Sequence, residues 1–195
     1  ALVASRLFRR EVSKEENPEL RARAKAINFG LAYGMGPAAL AGQLGCPQPE
    51  AERLLEAYFA AFPKVRSYLE GSATEGLRRG YVHTAGGRRY WFTDMRREGK
   101  DEASMRRVAK NMPIQGTNAD MVKVAMARIA RAVLEAGLDA RLVNMVHDEL
   151  VLEASEADAD AAARLVAREM MSAGAEFVKK VPMTVDVAVG DTWCK

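Results

Sequence analysis

The spacing of apolar positions divides the chain into helical and β-rich stretches. In "QPEAERLLEAYFAAF", Leu54, Leu55, Tyr58, Phe59 and Phe62 recur at three- and four-residue intervals, which predicts an amphipathic helix that Pro63 breaks or kinks. "AALAGQLG" before it and "KVRSYLEGSATEGLRRG" after it read as further helix. Residues 1–12 read as the end of a helix. "SKEENPEL" is a polar loop that starts a new helix, with Pro18 near its first turn, running to about Tyr33, where "GMGP" (Gly34 to Pro37) ends it. Two stretches alternate with period two around turn residues. "YVHTAGGRRYWF" does so around Gly86-Gly87, and "RLVNMVHDELVLEA" puts β-rich arms around His147-Asp148. A long helical region covers about Ser104 to Gly137, interrupted at Pro113. "EADADAAARLVAREMMSAGAEF" predicts an amphipathic helix and "PMTVDVAV" a last strand. Helices fill the first part and helices mix with hairpins in the second, an α+β pattern in which an antiparallel hairpin or sheet packs on helices.

One helix departs from the usual apolar stripe. Arg21, Lys25, Phe29 and Tyr33 stand four residues apart. Four residues advance a helix by ~400°, so the set shares one broad face, ~18 Å long at 1.5 Å per residue. The cations lie toward the N-terminal end, where the helix dipole already favours anions. A ligand with a polyphosphate at one end and a sugar and flat ring at the other matches that order. Arg21 and Lys25 would neutralise phosphate charge, and Phe29 and Tyr33 would meet sugar and base. An amphipathic helix with its cations in water and its aromatics on the core is the alternative. Gly30 and Gly34 beside the aromatics lower helix propensity, from which a purely structural helix gains nothing.

Composition adds further constraints. The 195 residues suit one large domain or two small ones, and 49% hydrophobic residues suffice for a core. No apolar run approaches the ~18 residues of a membrane span, so no membrane partner is expected. The start, "ALVASRLFRR", lacks Met and a signal-peptide layout, which reads as a fragment or a processed chain. Cys46 and Cys194 have no metal-ligand spacing and fit a reducing cytoplasm rather than a disulfide or zinc scaffold. The formal charge of +3 is uneven: residues 1–130 hold 22 Lys/Arg against 14 Asp/Glu, and residues 131–195 hold 7 against 12. The basic front suggests a polyanionic partner; the acidic back could hold metal ions or solvate a surface.

The filling Arg21, Lys25, Tyr33, Gly34, with "NFG" at Asn28 to Gly30, resembles the nucleotide-binding helix in the fingers of family A DNA polymerases. The resemblance implies that Arg21 and Lys25 hold the incoming nucleotide's phosphates, that Phe29 stacks near the sugar, and that Tyr33 caps the site at the templating base. Phe rather than Tyr at position 29 implies poor acceptance of nucleotides lacking the 3′ hydroxyl. "VHDEL", with Asp148 in a turn between apolar arms, resembles the second metal-binding motif of that family. It implies Asp148 as a direct ligand in a site for two Mg²⁺ ions ~3.5–4 Å apart, Glu149 in at most a supporting role, and His147 beside the primer end. A structural imidazole at His147 stays open.

"RRVAKNMPIQGTNADMVKVAM" repeats the four-residue spacing with Arg107, Asn111 and Gln115. Amides can donate to minor-groove acceptors that every base pair offers. The family segment like "NMPIQGTNAD" implies contacts of Gln115, Asn111 and Arg107 with the nascent pair and duplex; Asn118 stands where many members have a small residue. Packing amides around Pro113 are the alternative. Between residues 78 and 110, ten Lys/Arg face four Asp/Glu. That patch reads equally as a template contact through phosphates and stacking or as a solvated face. Tyr90-Trp91-Phe92 read as core of the first hairpin.

The resemblance covers about Leu7 to Trp193. It implies an upstream helix and loop over residues 1–17, fingers over 18–104 and the C-terminal part of a palm over 105–195. The implied activity is DNA-directed DNA synthesis on primer-template DNA from dNTP, in the cytoplasm of a bacterial or phage-infected cell. The family's upstream carboxylate motif, thumb and exonuclease are not among these residues. The expectation is therefore a truncated piece, or a chain that pairs with a second polypeptide carrying the upstream palm and thumb, with little or no synthesis alone. A non-catalytic nucleic-acid-binding module and a single-subunit RNA polymerase are the competing readings.

Overall fold

The computed structural model describes residues 2–32 and 34–193; Tyr33 and Cys194 lie outside them. The fold is α+β. In chain order the elements are α1 (Leu2–Phe8), α2 (Pro18–Ala32), α3 (Pro37–Leu44), α4 (Gln48–Ala61), α5 (Pro63–Arg79), β1 (Tyr81–His83), β2 (Arg89–Trp91), α6 (Thr93–Arg97), α7 (Glu102–Glu135), β3 (Ala140–Val146), β4 (Glu149–Ala154) and α8 (Ala159–Phe177). Prolines 18, 37 and 63 each open a helix, the position at which a missing N–H costs nothing and the fixed φ is already helical. No helix among the described residues is long and apolar enough to cross a membrane.

The chain divides into two compact units. The first comprises Ala1–His83 and Arg89–Ile114. Leu7, Val12, Ala24, Ile27, Leu31, Leu40, Leu55, Tyr58 and Leu69 form its larger core, to which α1–α5 each contribute. Ala73, Val82, Phe92, Met95, Met105 and Ala109 form a second cluster, packing α5, β1, α6 and the first turns of α7. Gly76 of α5 permits this packing: a Cβ there would lie 2.7 Å from Val82 Cγ1 and 3.3 Å from Ala109 Cβ. β1 and β2 pair antiparallel, with Tyr81 opposite Trp91, Val82 opposite Tyr90 and His83 opposite Arg89.

The second unit comprises Thr84–Arg88 and Gln115–Lys195. Its core joins Ala125, Ile129 and Val133 of α7 to Leu165, Val166 and Ala173 of α8, with Leu138, just before β3, and Ala140, Leu150 and Leu152 of the second hairpin packed against them. Arg128 of α7 also bonds to Ser172 Oγ and Glu176 of α8. The Thr84–Arg88 turn is bound to α7 of this unit: the Ala85 N–H donates to Thr117 Oγ1 (2.9 Å), and Arg88 Nε donates to Asp120 Oδ1 (2.7 Å).

Three sequence expectations are corrected. α7 is not interrupted at Pro113 but runs on for 34 residues with the proline inside. Buried side chains on either side of it, Met105 and Ala109 before and Val122, Ala125 and Ile129 after, outweigh the roughly 3 kcal/mol that an interior proline costs. The boundary between the units falls between Ile114 and Gln115, just past that proline. Second, residues 182–189 form no strand. The period-two alternation is present, Met183 and Val185 half-buried and Thr184 and Asp186 exposed, and Met183 fits against Gly174 of α8; a strand also needs a ladder partner, and none pairs with this segment among the described residues. Third, of Tyr90-Trp91-Phe92 only Phe92 is core; Tyr90 is 39% and Trp91 48% exposed.

Candidate nucleotide and metal sites

α2 sorts its residues by face. Ala24, Ile27 and Leu31 are buried, whereas Arg21, Lys25 and Phe29 are exposed on another side. Arg21 and Phe29 stand ~12 Å apart along the axis at 1.5 Å per residue. Phe29 is 48% exposed, so the aromatic-on-core alternative does not describe it. Lys25 Nζ lies 5.7 Å from the Phe29 ring centroid, a cation–π contact along the helix. Neither Arg21 nor Lys25 forms an ion pair among the described residues, whereas Arg23, between them in sequence, is paired with Glu50 at 3.2 Å. Two uncompensated cations beside an exposed ring form a surface for an anion that carries a flat group.

One contact behind this face escaped sequence reading. Tyr58, on α4, is buried, and its hydroxyl donates to Asn28 Oδ1 at 2.6 Å. The bond ties α2 to α4 immediately before Phe29. Burial pushes the Tyr58 phenol above its ordinary value and keeps it a donor. Gly34, after the end of α2, has φ +71°, and a Cβ there would come within 3.2 Å of Arg107 Cα. Glycine thus serves both the left-handed conformation and the close passage of α7. That passage places Arg107 at the C-terminal end of α2.

On α7, Arg107, Asn111 and Gln115 share one face by their four-residue spacing. Arg107 is exposed, with NH2 donating to Ser104 Oγ at 2.7 Å; Asn111 and Gln115 are half-buried. Arg107 and Asn111 belong to the first unit and Gln115 to the second.

The tip of the β3–β4 hairpin carries His147 and Asp148. Val146 pairs with Glu149, leaving these two as the turn, and a bulge at Val143 shifts the register below it. His147 takes φ +57°, where a two-residue hairpin turn ordinarily uses glycine. Holding a side-chain-bearing residue there costs on the order of 1 kcal/mol, an expense met at functional sites. Asp148 is exposed and makes no ion pair among the described residues. Glu149 is half-buried, and Trp193 Nε1 donates to its Oε1 at 2.9 Å, so the C-terminal segment holds the carboxylate beside Asp148. No group of three or more His, Cys, Asp and Glu able to hold a metal ion occurs among the described residues. Asp148 alone still suits Mg²⁺, a hard cation that takes one or two carboxylates and completes its shell with water and phosphate oxygens.

An exposed cation pair on a helix and a carboxylate at a hairpin tip are side-chain types that nucleotide-handling enzymes use. A family model described as DNA polymerase family A matches residues 1–195, and the chain belongs to that family. DNA polymerase I, thermostable, of Thermus aquaticus is 44% identical over 178 residues, which are 91% of this chain and 21% of that protein. DNA polymerase I of Chloroflexus aurantiacus is 41% identical over 193 residues, 99% of this chain and 20% of that protein. A solved structure of the POL domain of Pol1 from M. smegmatis, in complex with DNA primer-template and dNTP, superposes with a TM-score of 0.81 at 38% identity, covering 96% of this chain and 32% of that one. The chain thus spans about a fifth of the curated relatives it matches.

Proposed function

We propose that these residues form the nucleotide-binding portion and part of the catalytic portion of a DNA-directed DNA polymerase. The observation that carries this reading is the face of α2: Arg21 and Lys25 without carboxylate partners, followed by an exposed Phe29. Arg21 and Lys25 bind the triphosphate of a dNTP and offset the charge that develops on its leaving group. Phe29 sets the sugar and base; lacking a hydroxyl, its ring offers no substitute for the 3′ hydroxyl that a dideoxynucleotide lacks. Tyr33 closes the base end. Asp148 is the carboxylate that would hold Mg²⁺, with Glu149 supporting it and His147 beside the primer terminus. When bound there, Mg²⁺ supplies Lewis-acid polarisation of phosphoryl oxygens and activation of the attacking hydroxyl. Further carboxylate ligands, from residues encoded with this chain or from a second polypeptide, are part of the proposal. Residues 18–104 correspond to the fingers and residues 105–195 to palm, with Arg107, Asn111 and Gln115 facing the duplex.

Two measurements test this. Titration of the chain with a dNTP and Mg²⁺ should show binding that Lys25→Ala weakens about 10- to 100-fold, the worth of one charge-assisted phosphate contact. A chimera of the Thermus aquaticus enzyme, carrying these residues in place of its matching segment, should extend a primer. Asp148→Asn in that chimera should lower the rate on the order of 10³-fold, since a metal ligand supplies several kcal/mol. Undiminished extension by the Asp148→Asn chimera overturns the assignment.

A further inference from the structure

The outward face of the β1–β2 hairpin has an unusual composition. The pairing of Tyr81 with Trp91 and His83 with Arg89 puts these four side chains on one side, and buried Val82 lies on the other with Tyr90. The Tyr81 and Trp91 rings stand 4.8 Å apart between centroids, tilted by 47°. The Arg89 guanidinium lies over both, 4.9 Å from the Tyr81 centroid and 5.7 Å from that of Trp91. The solvated side of an antiparallel ribbon is ordinarily polar. This one offers two rings, a guanidinium and an imidazole, with no carboxylate, and Arg89 forms no ion pair among the described residues.

Cross-strand packing of Tyr81 and Trp91 steadies a ribbon of three-residue strands. It does not call for leaving nearly half of Trp91 in water beneath an uncompensated cation. The guanidinium, lying over two rings, has already lost part of its freedom, so engaging a further partner costs little more entropy. The complementary partner presents flat rings and repeated negative charge together. Duplex DNA hides its base faces; a single strand exposes them.

We propose that Tyr81, Arg89 and Trp91 form a stacking platform for an unpaired strand of nucleic acid, Trp91 taking a base and Arg89 the adjoining phosphate. The proposal deepens the polymerase reading by naming the unpaired stretch of its nucleic-acid partner, and its test is independent of nucleotide binding on α2.

The chain has two tryptophans, so Trp193→Phe leaves Trp91 as the sole indole reporter. Titration of that variant with oligodeoxythymidylate should quench Trp91 emission. An abasic oligomer of equal length should bind at least about tenfold more weakly and a blunt duplex should quench little, because base stacking carries the affinity. By anisotropy of a labelled strand, Trp91→Leu should weaken binding about as much as removing the bases, and Trp91→Phe, which keeps a ring, should restore most of it. Arg89→Gln should reduce the slope of log affinity against log salt by about 0.7, one phosphate on a single strand. Equal affinity for the abasic and thymidine oligomers, or Trp91→Leu binding as tightly as Trp91→Phe, overturns the platform, as does an acidic peptide quenching Trp91 at concentrations where the oligomer does not. If Lys25→Ala leaves dNTP binding intact while the Trp91 results hold, it is the reading of α2 that fails and the platform that stands.

Discussion

Tyr58 fixes Asn28 by a single hydroxyl, and through it the residue before Phe29. Its side chain is 3% exposed while Asn28 is exposed, so losing the bond strands no buried acceptor, and the cost falls near the lower end for a hydrogen bond. Tyr58→Phe should destabilise the chain by about 1 kcal/mol in urea unfolding and weaken dNTP binding by a few-fold, because Phe29 loses its positioned neighbour. The pH dependence has a definite sign. The folded-state phenol titrates above its ordinary value of about 10, so the folded chain keeps that proton when the unfolded chain has lost it. The stability Tyr58 contributes is fully present below about pH 10 and declines as pH rises beyond it. The stability gap between the parent and Tyr58→Phe should therefore be constant from neutral pH to about 10 and narrow above; a gap that widens there contradicts the assignment. This role was invisible in the sequence because a tyrosine within an apolar helical stripe reads as core, which it is, and the partner lies 30 residues upstream. The Arg21, Lys25 and Phe29 face was legible because helical spacing alone puts them together, and no long-range contact was needed to bring them there.

Two glycines of α5 separate local propensity from packing between elements. A methyl added at Gly71 would meet nothing within 4 Å, whereas one at Gly76 would sit against Val82, Ala109 and Phe92. Gly71→Ala should stabilise the chain by about 0.5–1 kcal/mol, the helix-propensity gain. Gly76→Ala makes the same propensity gain but drives a methyl into Val82 Cγ1 at 2.7 Å, and overpacking costs about 1–3 kcal/mol, so the net is destabilising. Urea midpoints of the two variants should move in opposite directions; a parallel upward shift would show that β1 yields freely to α5. At this scale the hairpins and most helices were legible from period and turn residues. Pro113 and residues 182–189 were not, for one shared reason. A helix survives an interior proline when buried contacts on both sides hold it, and an alternating segment becomes a strand only beside a partner; both facts are set by distant residues. Trp91 is the same case, since an aromatic in a hairpin fits either face by pattern and only the placement of Val82 in the core decides which.

Each of the two compact units has its own apolar core, and α7 belongs to both. Cores that share no side chains should open separately even when one helix runs through them. Asp120 allows that to be measured, because its main partner, Arg88, lies within the second unit. Burial pushes the Asp120 carboxyl up, but hydrogen bonds from Thr84 and Arg88 and the charges of Arg88 and Lys123 outweigh it and hold the group below the usual carboxylate range. Its contribution is thus present above the unfolded value of about 4 and lost as pH falls through the folded one. Arg88 is itself nearly half exposed, which keeps the bond near ~1 kcal/mol. Asp120→Asn should therefore lower hydrogen-exchange protection about fivefold at pH 7 in residues 84–88, in α7 beyond Gln115 and in the segments packed on it. Protection of α2 and α4 should not change, and the difference should shrink as pH falls below about 4. Loss of protection spread equally over α2 and α4 would mean that the two cores unfold as one cooperative unit.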